Sequence, residues 1–498
     1  MNISAFRKDI DIDSIRLIAG ELEKRGYDTQ KLFTYLENRD TNVVYIESGS
    51  ARNDVVAFAA AHKRETHELL EEFGSAEIAA HIRRRATGEI AVIGAFYSGS
   101  ERTISNLSQI MLTEVLTALV ARDVAYAVYH PVDPAGMAKG TIDVLRRHGF
   151  VNISDDHNDP VYAVDMKAPV IVFRDVETVI KAPLNKNPRV LKAIDEAHYK
   201  LLHTFTEIFP GQLILSFNPN AVYSKIIDLV TASNGVSTVQ DPRRIRGPYM
   251  CVPFGKALSD VVVPNTVTKT LRTEKYFAGN LKGFEIREVR DYLNIDDQVM
   301  TIGSFGRPVM LVDDLLHKGQ RMDKIDPLFR QHGIDVRKVI VGVLTGNARD
   351  RMKMKGREVE EAYFIPTINI WLNERDCYPF IGGDGIDSDD EESRASINMI
   401  MPYTSFNFVG NDDRANTFKY SMTCLENAYA ILRVLEEEYQ ARFEKKLTLK
   451  RLGEVITYPR RPSVGEGLCY DESMAPSAYV ESDMKRLRRL NLVKEKKR

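Results

Sequence analysis

From about residue 189 the chain alternates short, apolar, β-rich runs with segments long enough to form a helix. A helical pattern over 189–208 leads to QLILSF, then to the helical AVYSKIIDLVTA and the strand PYMCVPF. RPVMLVDD, a helix over 320–332, KVIVGVLTG and the strand-like FIPTINIWL follow. Strands joined through helices must cross over and pair in parallel, so this spacing predicts a mostly parallel, doubly wound sheet. The first 165 residues hold a separate α/β pattern. Helical periodicity over 12–38 and 54–86 flanks the strand NVVYIESG. The strand EIAVIGAFYSG (89–99), the amphipathic helix SNLSQIMLTEVLTALVARD, the strand VAYAVYHPV and a helix ending in LRRHGF come next. The run PVIVF near 169–173 either completes this unit or links it onward, and NKNP (185–188) marks the boundary. The predicted fold is therefore α/β, with one unit over 1–165, a parallel-sheet unit over 190–400, and a helical extension with a basic tail over 401–498.

Composition narrows the function classes. A length of 498 residues accommodates roughly three domains. A formal charge of −2 gives no whole-surface attraction to nucleic acid or anionic lipid. The N-terminal MNISAFRKDIDIDSIR lacks the apolar core of a signal peptide, and the apolar window IMLTEVLTALVA is too short to span a bilayer. No membrane partner is expected. Four widely spaced cysteines, with no C-x-x-C pair, read as reduced thiols of a cytoplasmic protein. The acidic run 387–392 and the basic ending KRLRRLNLVKEKKR read as solvated segments, so nucleic acid is not an expected partner. Self-association into a homo-oligomer stays open.

The most informative stretch is VMLVDDLLHKGQRM, residues 309–322. Four apolar residues form a buried strand that ends on Asp313 and Asp314. Adjacent carboxylates repel, so a cationic or hydroxyl-rich partner must meet them. In an open parallel sheet ligands sit beyond the carboxyl ends of the strands, where both aspartates emerge. The following turn, Leu315, Leu316, His317, Lys318, Gly319 and Gln320, enters a helix whose free N–H groups suit a phosphate. A ribose 5-phosphate has hydroxyls at one end and a phosphate at the other, which matches that order.

This stretch resembles the phosphoribosyl-diphosphate (PRPP) motif of type I phosphoribosyltransferases, in which apolar residues precede an acidic pair and a Thr-Gly turn. Asp313, Asp314 and Gly319 match, whereas His317 and Lys318 stand where the family has hydroxyl-bearing residues. PYMCVPFGKALSD (248–260) resembles the family's diphosphate loop, with Gly255 and Lys256 at the matching positions. VPNTVTKTLRTEKYF (263–277) resembles the next strand, with Lys269, and leads into a polar hood segment over 278–300. The resemblance spans about 210–385. It implies Asp313, Asp314 and Lys269 in catalysis, Mg²⁺ carried with PRPP, Lys275 or Arg272 closing from the hood, and Trp371 near the acceptor. A core role for Trp371 is the other reading.

Residues 1–155, in the order of the two strands with their long helix and the closing HGF, resemble a GNAT-type N-acetyltransferase. The resemblance implies an acetyl-CoA loop at Ser98, Gly99 and Ser100. The sequence there, SGSERTISN, departs from the family's glycine-rich turn, and Leu145 stands where the family often has a tyrosine acid. Two function classes follow. One is an enzyme that transfers phosphoribosyl to or from a small nucleobase-like or amine acceptor, with N-acetylation as an added activity. The other is a PRPP or nucleotide sensor without catalysis, or an acetyltransferase whose second unit is structural.

Overall fold

The computed structural model describes residues 2–7, 20, 22–23, 28–38, 41–47, 55–98, 106–134, 140–156, 159–241, 246–256, 258, 261–280, 283–387, 395–399, 413–461 and 470–495. Over the described residues it is a mixed α/β protein with three sheets and a helical C-terminal region. The first sheet holds nine strands. β1 (Asn2–Arg7), β2 (Asn42–Glu47), β3 (Val55–Glu65) and β4 (Glu89–Ser98) run antiparallel in sequence order. β5 (Tyr126–Tyr129) lies parallel to β4 and antiparallel to β7 (Tyr162–Phe173), which also pairs with the short β6 (Val151–Asn152).

The stretch Val170–Phe173 of β7 takes parallel partners on both sides, β8 (Gln212–Phe217) and β16 (Ile370–Asn373). QLILSF and the end of FIPTINIWL, expected in the parallel sheet, thus complete the first one. The expected break at 166–189 is crossed by this pairing and by a continuous core in which Leu116, Phe217, Val312, Ile340 and Tyr363 belong together. A buried link joins the same elements, with Glu114 receiving the Lys225 ammonium at 2.7 Å and the Tyr363 hydroxyl at 2.5 Å.

The expected helix over 54–86 is a correction of another kind. Val55–Glu65 form β3, and helices occupy only Leu69–Phe73 and Ala76–Arg83. The alanine-rich VVAFAAAHKRE is held extended because β2 and β4 saturate its backbone from both sides. Sheet pairing has overridden the helix propensity of alanine.

The second sheet is fully parallel, in the order β10 (Val267–Thr268), β9 (Met250–Pro253), β13 (Val309–Leu316), β14 (Val336–Leu344), β15 (Val359–Phe364). A third, small sheet pairs β11 (Thr273–Phe277) with β12 (Phe284–Glu288) and β17 (Gly385–Ile386). Two helices open alike. Asn187 and Asn218 cap Pro188–Ile208 and Pro219–Asn234 with their side-chain oxygens, and proline fills the first helical position, where its missing N–H costs nothing. The C-terminal helix Arg414–Phe443 packs along Pro188–Ile208 and is covered in turn by Pro476–Glu495. Among the described residues no helix is long and apolar enough to cross a membrane. Cys251, Cys377 and Cys424 are free, buried thiols.

Candidate functional site

β13 lies between β9 and β14, so its carboxyl end opens at the middle of the parallel edge. Asp313 and Asp314 are 2% and 5% exposed. The N–H of Asp314 donates to Asp313 Oδ1 at 2.9 Å. The cation that meets them is Arg321, from the first turn of the following helix Gln320–Gln331. Its Nη1 stands 2.9 and 3.1 Å from the two oxygens of Asp313 and 3.8 Å from Asp314. Burial and the neighbouring Asp314 charge keep the Asp313 carboxyl well above the usual range. Burial acts on Asp314 too, but the hydrogen bond to Asp313 and the guanidinium hold it below that range. One proton shared across the pair is the arrangement these opposite shifts describe.

Gly255, just beyond β9, is fixed by this pair. A Cβ there would stand 1.8 Å from Asp313 Oδ1 and 2.7 Å from Asp314 Oδ1. Lys256 follows, ion-paired with Asp376 and, at 3.2 Å, with Asp384; Lys275 joins Asp384 at 3.4 Å. Burial works against the charge of Lys256, yet the two carboxylates hold its pKa above the usual lysine value. Arg375 continues the series to Asp175 at the end of β7, with Nε at 3.0 Å. Burial pushes the Asp175 carboxyl up to about 7; Arg375 opposes that rise and Asp376 adds to it. The result is a row of alternating charges running from the first sheet into the site.

Asp313, Asp314, Arg321, Lys256, Lys275, Asp376 and Asp384 border one cavity of about 470 Å³. Every member of the turn, Leu315, Leu316, His317, Lys318, Gly319 and Gln320, lines it, with Asp313, Asp314 and Lys256. Gly319 supplies the left-handed φ of +70° that starts the next helix, and no side chain caps that helix. Its first amides therefore have no side-chain acceptor, and Gly319, Gln320 and Arg321 line the cavity. His317 Nδ1 is buried with no partner among the described residues, and burial, with Lys318 beside it, lowers its pKa. Trp371 lines the cavity from the first sheet and stacks on Phe173, with ring centroids 5.8 Å apart and planes at 23°. It therefore both packs within the first sheet and forms part of the cavity wall.

Two expectations are placed differently. Lys269 is exposed and lies outside this cavity. It sits beyond the two-residue β10 at the sheet's edge, with its N–H spent on Cys251 O. Arg272 faces a neighbouring cavity, where it donates to the Tyr458 hydroxyl at 2.5 Å. Asp376 and Asp384 were not anticipated at all, because nothing in WLNERDCYPFIGGDG signals which cation will face them.

In the N-terminal half, Ser98 Oγ bonds Ser108 Oγ at 2.6 Å, while Gly99 and Ser100 fall outside the described residues. Asn106, at the start of the helix Leu107–Val120, is buried and receives the Tyr199 hydroxyl. The start of that helix thus packs against Pro188–Ile208. Leu145 is core. A constellation with no sequence signal lies nearby. Tyr35 Oη meets His62 Nδ1 at 2.9 Å, His62 Nε2 meets Glu72 at 3.1 Å, and Arg64 meets Glu72 at 2.7 Å, along a cavity of about 360 Å³.

No protein-family model matches the chain, and no curated protein matches it. Solved structures give weak similarities. An adenine phosphoribosyltransferase from Thermoanaerobacter pseudethanolicus is 15% identical, over 28% of this chain and 80% of that one, at a TM-score of 0.18. An agmatine N-acetyltransferase is 11% identical, over 33% of this chain and 100% of that one, at 0.24. Arylalkylamine N-acetyltransferase 2 from Aedes aegypti is 12% identical, over 33% and 99%, at 0.23. TM-scores this low leave the functional reading to the chain's own residues.

Proposed function

We propose that the cavity at Asp313 and Asp314 binds PRPP, and that the chain transfers phosphoribosyl to or from a small nucleobase-like or amine acceptor. The observation that carries the reading is the buried carboxylate pair beside an uncapped helix start, both lining one cavity. The pair accepts from the ribose hydroxyls; the amides after Gly319, with Lys318, take the 5-phosphate. Lys256 faces the diphosphate side, and Trp371 offers a ring face to the acceptor. In the transfer the bond from the anomeric carbon to diphosphate breaks, diphosphate leaves with the electron pair, and a bond to the acceptor nitrogen forms as its proton passes to water. These residues position the reactants and exclude water. Mg²⁺ would neutralise charge on the diphosphate. The acidic pair is already met by Arg321, so the donor set fits an ion that arrives with its own phosphate ligands. No step is assigned to acetyl-CoA.

A second reading, sensing without catalysis, draws on Arg321. A ribose must displace this guanidinium from Asp313, and such an exchange is a switch as readily as a catalytic cycle. The test is thermal unfolding of the full chain with PRPP and Mg²⁺. Binding raises the melting temperature by mass action, and the paired change Asp313→Asn with Asp314→Asn removes that rise. Diphosphate release with a panel of bases and amines marks the enzyme; a melting shift without release marks the sensor. If PRPP, ribose 5-phosphate and nucleotides all leave wild-type melting unchanged, both readings fail.

A further inference from the structure

A second cavity, of about 290 Å³, lies on the other side of Lys256 and Asp376, which line both spaces. Its walls come from distant parts of the chain. β11 and the turn Val289–Tyr292 give one side, and Gly255 with the loop after Arg375 another. A strap, Thr457–Arg460, from the C-terminal region closes the third. The strap is tied at both ends, by Thr457 N–H to Val179 O at 2.9 Å and by Arg460 N–H to Phe380 O at 3.3 Å.

Among the described residues, five basic side chains line the second cavity, Arg272, Arg290 and Arg460 among them, with the carboxylates of Glu274, Asp291 and Asp376; Lys256 and Arg375 also reach Asp384 and Asp175 outside this lining. Arg460 pairs with Glu274, yet its Nε is buried and has no partner among the described residues. A buried guanidinium donor without an acceptor costs free energy until an acceptor arrives. The remaining wall is aromatic and aliphatic. Tyr276, Tyr292 and Tyr458 contribute rings, and the Arg272 guanidinium lies 5.3 Å from the ring centre of Tyr292 and 5.9 Å from that of Tyr458.

We infer that this cavity is a second ligand site, for a small molecule with a planar ring and one or two negative charges, a mononucleotide or an aromatic carboxylate. The Arg460 Nε calls for the anion, and the tyrosine rings call for the planar face. At about 290 Å³ the volume lies just below the range of about 300 to 1,000 Å³ common to ligand sites, too small for a dinucleotide. This goes beyond the PRPP reading and does not depend on it. Because Lys256 and Asp376 form a shared wall, a ligand on one side bears on the other.

Calorimetry on the full chain tests this with AMP, benzene-1,3-dicarboxylate, neutral adenosine and inorganic phosphate. AMP or the dicarboxylate binds at one site per chain, whichever is preferred naming the anion, and adenosine binds at least about tenfold more weakly. Arg460→Gln weakens the charged ligands about tenfold. Because that change also removes the charged partner of Glu274, Tyr292→Ala, at a ring 45% exposed, provides the check that folding cannot confuse. It weakens AMP but not phosphate. The paired Asp313→Asn and Asp314→Asn change leaves this binding intact, which separates it from any failure of the PRPP reading. Three results overturn the inference. Adenosine binds as well as AMP; neither anion binds at millimolar concentration; or binding is lost with the aspartates changed and kept in Arg460→Gln.

Discussion

At the scale of single residues, the site rests on an absent methyl group. A side chain at 255 would collide with both carboxylates, so Gly255→Ala must part them or push the loop away. Overpacking of this kind costs about 1–3 kcal/mol. The expected outcome is a lower melting temperature together with loss of the PRPP-induced rise, read in one unfolding experiment. Arg321 sets the sign for the aspartates themselves. Neutralising Asp313 and Asp314 relieves a repulsion but deprives a buried guanidinium of its charged partners, a loss of about 1–3 kcal/mol. The unliganded double variant therefore melts below wild type. His148 gives a pH signature far from the site. It is fully buried, with Nδ1–H donating to Val144 O (2.9 Å) and Nε2 facing Thr113 Oγ1 (3.0 Å), and burial depresses its pKa from 6.5 to about 4. The folded state thus refuses a proton that the unfolded imidazole accepts below 6.5. Stability due to His148 is complete above that value and falls by about 1.4 kcal/mol per pH unit from 6.5 toward 4. In denaturant melts at pH 7.5 and pH 5, His148→Gln loses less stability on acidification than wild type does; equal losses would refute the assignment.

At the scale of elements, the turn between β13 and its helix is the part most open to tuning. Lys318 is exposed at the cavity and Arg351 Nη1 fixes its carbonyl at 2.7 Å, so the ammonium swings free of the backbone's position. Lys318→Thr keeps the turn and removes the charge. PRPP binding should weaken about tenfold at low salt and less at high salt, as measured by titration at two ionic strengths. Much of this element was legible beforehand. An apolar run ending in two aspartates, then glycine, fixes a buried strand, an exposed edge and a helix start, because each feature is local. The two Asn-Pro helix starts are local in the same way. What stayed hidden depends on distant partners. β3 is a strand only because β2 and β4 flank it, and β8 and β16 join the first sheet only because β7 runs on past β5. Lys269 looked like a site residue because its strand order was right. The two-residue β10 then leaves it on the rim, and no spacing rule reports that.

At the scale of the whole molecule, the shared sheet decides how the chain comes apart. A fragment ending near 185 would leave Val170–Phe173 without either of its parallel neighbours, and two unpaired edges of apolar strand do not persist in water. Limited proteolysis should accordingly yield no stable 1–185 product, and recovery of one that unfolds cooperatively would show the first sheet to be self-sufficient. The row of charges from Asp175 through Arg375, Asp376 and Lys256 to Asp384 and Lys275 has a further consequence. It behaves as a line of balances, each carboxylate held by the cations on either side. A diphosphate that draws Lys256 toward itself leaves Asp376 to claim more of Arg375, and Asp175, poised near neutrality, then answers by taking up a proton. Ligand entry at one sheet is thereby written as hydrogen-ion uptake at the other. Binding heats measured at pH 7 in buffers of unequal ionisation enthalpy should diverge for the wild-type chain and coincide for Asp175→Asn.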